Sequence, residues 1–82
     1  MTHEADSRDR IFSVPGTLTY ILVKNNCVHM VIGNWARPLT CQNPMPIENG
    51  TRYDTFRGSF GILEQNAKSK SWWNGMTLVE CR

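Results

Sequence analysis

The stretch from Thr17 to Gly33 constrains the fold of this chain more than any other. Thr17-Leu-Thr-Tyr-Ile-Leu-Val-Lys24 and Cys27-Val-His-Met-Val-Ile32 are rich in β-branched, aromatic and leucine side chains, the types that fit a pleated surface. Between them sit Asn25 and Asn26, which tolerate the positive φ that a type I′ turn requires at both central positions. A two-residue loop sets the register: Lys24 opposes Cys27, Val23 opposes Val28, Leu22 opposes His29, Ile21 opposes Met30 and Tyr20 opposes Val31. Side chains alternate across a strand. One face then carries Thr19, Ile21, Val23, Val28, Met30 and Ile32, and reads as core. The other carries Tyr20, Leu22, Lys24, Cys27, His29 and Val31, and reads as half-covered or solvent-facing. A slip of one residue would exchange the two faces, so the apolar set pins the register.

Upstream, Ile11-Phe-Ser-Val14 precedes Pro15-Gly16. A tight turn there puts Phe12 and Val14 on the face of Ile21 and Val28 and makes a three-strand meander. Against it, Pro-Gly favours a type II turn, whose twist splays hairpin strands.

The second half of the chain carries two further turn signals. Asn49-Gly50 is followed by the weakly alternating Thr51–Phe56, with Tyr53 out of phase with Phe56. Asn74-Gly75 is flanked by Ser71-Trp-Trp and by Met-Thr-Leu-Val-Glu-Cys81, the strongest short hairpin signal in the chain. It sets Trp73 against Met76, Trp72 against Thr77, Ser71 against Leu78 and Lys70 against Val79. Trp72 and Trp73 then point to opposite faces. Arg57–Glu64 reads as a strand with Phe60 and Ile62 on one face, in preference to helical turns over Gly61–Lys68. From Asn34 to Glu48 the regular pattern stops, because Pro38, Pro44 and Pro46 preclude a normal central strand. A loop of that length in a small domain is often functional. The expected fold is all-β, or β-rich with at most one short helix. It is a small antiparallel barrel or sandwich of about five or six strands built from hairpins.

Eighty-two residues make one domain, and a chain of this size buries roughly two-thirds of the surface it exposes when unfolded. Residues 1–10 are polar and read as a mobile tail, with the domain over 11–82. They lack the apolar stretch of a signal peptide, and the longest apolar run, Tyr20–Val23, is far too short to span a bilayer. These features predict a cytoplasmic protein without membrane partners. Three cysteines cannot all pair within one chain, and without an export signal they are expected to stay reduced. For the same reason Asn49-Gly50-Thr51 is read as a turn and not as a glycosylation site.

Catalytic and metal-binding patterns are weak. Cys27 and His29 point the same way, and Cys41 and Cys81 would complete a Cys₃His zinc set. No Cys-x-x-Cys knuckle supports it, so no metal or cofactor is expected. Cys27 and His29 stand about 7 Å apart along the strand, too far for a dyad. Arg57-Gly-Ser-Phe-Gly61 lacks the spacing and the lysine of a phosphate loop. The chain is therefore expected not to be an enzyme.

Binding residues are better represented. Trp35, Arg37, Leu39 and Met45 in the proline-rich segment are of types found at interface hot spots, and they lead to a protein-binding reading of inhibitor or adaptor type. Small non-catalytic proteins of mobile elements have this size. The competing role for Trp35 is a lid on the core. The alternative function is single-stranded nucleic-acid binding through Arg52, Tyr53, Arg57, Lys68, Lys70, Trp72 and Trp73, which interleave cations with stacking surfaces. The net charge of +2 is too mild to decide for it. An exposed hairpin edge also leaves pairing with a second copy open.

Overall fold

The structure is a computed structural model that describes residues 9–66 and 68–81. The hairpin lies where the residues place it. β2 (Thr19–Lys24) and β3 (Cys27–Ile32) pair with Lys24 opposite Cys27 and Thr19 opposite Ile32, as the two-residue loop demands. Asn25 and Asn26 both take positive φ, 53° and 63°. β1 (Arg10–Ser13) joins them with Phe12 opposite Ile21, completing the meander. Pro15 and Gly16 form the type II arrangement, with Gly16 at φ 78° and the Thr17 amide donating to the Val14 carbonyl at 3.2 Å. The longer connection avoids the splay that a two-residue Pro-Gly loop would impose. Arg10 lies within β1, and residues 1–8 of the stretch read as a tail lie outside the described residues.

β4 (Trp35–Thr40) and β5 (Met45–Ile47) replace the expected irregular loop. The prolines are tolerated because both strands are edges: β4 ends the first sheet and β5 begins the second. β6 (Gly50–Thr55), β7 (Gly58–Gln65), β8 (Lys68–Trp73) and β9 (Met76–Thr77) follow as a second meander. Gly58–Gln65 is one continuous strand, so the helical alternative over Gly61–Lys68 is excluded. The turn before β6 is Glu48-Asn49, with Ile47 opposite Gly50, one residue earlier than the Asn-Gly pair suggests. Gly50 is needed in the strand itself, because a Cβ there would collide with the Ile62 carbonyl.

The last hairpin is shorter than its local signal. Trp73 opposes Met76 and Trp72 opposes Thr77, but the chain leaves the second sheet at Leu78. β10 (Val79–Cys81) crosses to pair with β1, Val79 opposite Ser13, so the expected Lys70–Val79 pair does not form. The result is two five-stranded antiparallel sheets, β10-β1-β2-β3-β4 and β5-β6-β7-β8-β9, and ten short strands instead of about half that number.

Between the sheets lie Phe12, Val14, Ile21, Val28 and Leu39 from one side and Tyr53, Phe60 and Ile62 from the other, with Leu78 at the crossover. Phe12 meets Phe60 edge-on at 5.1 Å, and Tyr53 lies 5.8 Å from Phe60. At one margin Arg10 ties the sheets together. Its Nε donates to Glu80 at 2.8 Å and its Nη1 to Glu64 at 2.9 Å, while the Ser69 hydroxyl donates to Glu80 at 3.1 Å. The hydrogen bond to Glu80, more than any other effect, holds the Arg10 pKa above its ordinary value.

Cys27 and Cys41 form a disulfide with Cα atoms 4.1 Å apart, which corrects the expectation of reduced thiols. The pairing follows from β4: once it lies beside β3, the residue after Thr40 meets the first residue of β3. No helix long and apolar enough to cross a membrane occurs among the described residues.

Candidate functional site

The proline-rich segment does carry exposed aromatic and cationic groups, but they are organised by strand parity. Trp35, Arg37 and Leu39 sit on the same side of β4. Leu39, deepest in the sandwich, is only 5 % exposed and belongs to the core, so its assignment to a binding surface is corrected. Trp35 lies at the open end, opposite Ile32, and is 48 % exposed, so it is not a lid on the core. Met45 is exposed too, but it opposes Arg52 in the second sheet, away from Trp35 and Arg37.

The partner of this segment comes from elsewhere in the chain. The Arg37 guanidinium lies 5.0 Å from the centroid of the Phe56 ring, and that of Arg57 lies 5.9 Å from it. Phe56 occupies the turn between β6 and β7 and is 63 % exposed. That turn is held firmly. Thr55 Oγ1 donates to the Gly58 carbonyl at 2.8 Å and accepts from the Arg57 amide at 3.0 Å. From the next turn, Asn74 Nδ2 donates to the Arg57 carbonyl at 3.1 Å and Asn74 Oδ1 accepts from the Ser59 amide at 3.0 Å. Asn74 packs so close to Gly58 that no side chain fits there. Arg37, Phe56 and Arg57 thus form an aromatic-and-arginine cluster on a turn held by side-chain hydrogen bonds, with Trp35 two residues from Arg37 on the same side of β4. The sequence offers Phe56 as a residue out of phase with Tyr53 and as an aromatic beside Arg57, but not as a partner of Arg37.

The residues expected to hold single-stranded nucleic acid divide into three groups. Register places Arg52, Trp72 and Lys70, with Lys68, on the outer face of the second sheet. The Trp72 ring lies directly on Gly61, where any Cβ would overlap it. Arg52 donates to Asp54 at 2.8 Å, and this bond holds the Asp54 carboxyl below its usual range. Tyr53 and Trp73 face inward: Tyr53 is buried in the core, and Trp73 packs half-buried against it. Burial pushes the Tyr53 hydroxyl above its ordinary pKa, opposed in part by Arg10. Arg57 belongs to the Phe56 cluster.

The metal candidates do not converge. Cys27 and Cys41 are joined to each other, while Cys81 and His29 lie in one row across the first sheet, separated by β1 and β2. Three strand spacings put about 14 Å between their backbones. Among the described residues no group of three or more potential ligands gathers. No protein-family model, no curated protein and no solved structure matches the chain.

Proposed function

We propose that this chain is a non-enzymatic protein-binding module of inhibitor or adaptor type that engages its partner through Trp35, Arg37, Phe56 and Arg57. The stacking of Arg37, two residues from the exposed Trp35, on an exposed and firmly held Phe56 is the observation that carries this reading. Arginine and aromatic side chains dominate interface hot spots, and a pre-formed turn lowers the ordering cost of binding. Two guanidiniums around one ring favour a partner that offers carboxylates beside apolar groups. The test is affinity capture with Trp35→Ala and Arg37→Ala, each checked for folding by thermal unfolding. Truncating a hot-spot residue costs about 2 kcal/mol or more, so each folded variant loses its partner by roughly 30-fold. Unchanged capture by both folded variants contradicts the assignment.

A second reading, single-stranded nucleic-acid binding, is supported by the register that puts Arg52, Lys68, Lys70 and Trp72 on one outer face. It ranks below the first because Arg52 is paired with Asp54 and only one of the two tryptophans is on that face. It predicts salt-sensitive quenching of tryptophan fluorescence by oligonucleotides, diminished by Lys70→Ala. Unquenched fluorescence at low salt removes it.

A further inference from the structure

The outer face of the first sheet is unlike the usual solvent face of an antiparallel sheet, which alternation makes polar. One complete row across all its strands runs Cys81, Ile11, Leu22, His29, Pro38. The next runs Val79, Ser13, Tyr20, Val31, Ala36. Neither row contains an acidic residue, a lysine or an arginine. The Nδ1 atom of His29, in the middle of the first row, is buried without a hydrogen-bond partner. Among the described residues, charge on this face appears at the margin, where Lys24 meets Asp9 at 4.0 Å. Contiguous apolar surface of this kind marks a contact site.

We infer that this face packs against the same face of a second copy of the chain, giving a two-fold symmetric dimer. The occupant follows from charge and area. A two-fold contact lays a patch against itself, so a patch with net charge faces a patch of the same sign. The two rows carry none, whereas Arg52, Lys68 and Lys70, offset only by Asp54, leave the outer face of the second sheet net positive. An uncharged patch on a chain of net charge +2 is therefore the surface on which two copies approach with least repulsion. At about 4.8 Å per strand and about 6.8 Å per row of one face, two rows across five strands present roughly 330 Å² in projection. With side-chain relief, two such faces bury on the order of 800 Å², the size of a weak, transient dimer. This surface is separate from the Phe56 cluster, and the dimer stands or falls independently of the partner proposed above.

The experiment is sedimentation equilibrium of the full chain from micromolar to near-millimolar concentration, with Tyr20→Lys, Val79→Lys and Thr77→Lys. Tyr20 and Val79 are already 38 % and 59 % exposed, so a lysine is solvated in the free chain and the fold survives. In the dimer each would be desolvated without a partner. The wild type is expected to double its mass as concentration rises. Tyr20→Lys and Val79→Lys are expected to weaken association by roughly tenfold or more, and Thr77→Lys, on the other sheet, to leave it unchanged. A wild type monomeric throughout the range overturns the inference. So does a dimer that Thr77→Lys disturbs as much as Tyr20→Lys, and so does a monomeric wild type that captures an unrelated protein through Tyr20.

Discussion

The two sheets each have five antiparallel strands, yet their outer faces differ. That of the first sheet carries Ile11, Tyr20, Leu22, Val31 and Val79, and that of the second carries Arg52, Lys68, Lys70 and Trp72. The inner faces, by contrast, share one core built around the Phe12–Phe60 contact. Alternation along a strand demands only that one face be apolar. The second sheet obeys the minimum and sets cations on its outer face. The first is apolar on both sides, which is characteristic of a sheet covered on both sides.

The comparison can be broken first at what the sheets share. Phe60 is fully buried and meets both Phe12 and Tyr53. Phe60→Ala should cost about 3–5 kcal/mol, most of the stability of a domain this small. Denaturant unfolding should show both sheets lost in one transition. Separate transitions would mean that the sheets are independent layers.

Next comes a blow to the first sheet alone. Reducing Cys27–Cys41 opens a loop of sequence separation 14 and should cost roughly 3 kcal/mol by the chain-entropy account. Hydrogen exchange should then quicken in β4 well before β7. Equal loss in both strands would show that the disulfide secures the whole sandwich.

The smallest effect belongs to the second sheet. Tyr53 has its pKa raised from 10.0 by burial. A raised folded value means that the neutral hydroxyl stabilises the fold fully below the ordinary phenol range, and that this contribution is lost as pH climbs from there through the folded value. Thermal unfolding should show the midpoint falling above about pH 10 in the wild type. Tyr53→Phe should flatten that limb, and an unchanged alkaline limb in the variant would assign it elsewhere.

Much of this architecture was legible in the residues, and the gaps have physical causes. The Asn25-Asn26 hairpin and its register were readable because turn length and side-chain period are both local. Pro38 and Pro46 hid two strands, because a proline bars a strand only from the middle of a sheet, and edge position depends on strand order. The Asn74-Gly75 signal overran for a similar reason: Val79 has a local candidate in Lys70 and a distant one in Ser13, and the distant pairing prevails. The disulfide could not be read, since three cysteines offer three pairs and only the β3–β4 alignment selects one. At the candidate site, Trp35 and Arg37 were legible by residue type. Phe56 was not, because it reaches Arg37 across the gap between sheets. The apolar rows of the first sheet likewise exist only once β10, β1 and β4 flank the hairpin.

The contrast between the outer faces is tested most directly by hydroxyl-radical footprinting of the wild type at rising protein concentration. Tyr20 and Cys81 report on the first sheet, and Met45 and Trp72 on the second. The account predicts that Tyr20 and Cys81 become progressively protected while Met45 and Trp72 label at a constant rate. Labelling of all four residues that does not change with concentration, or protection confined to Met45 and Trp72, would contradict it.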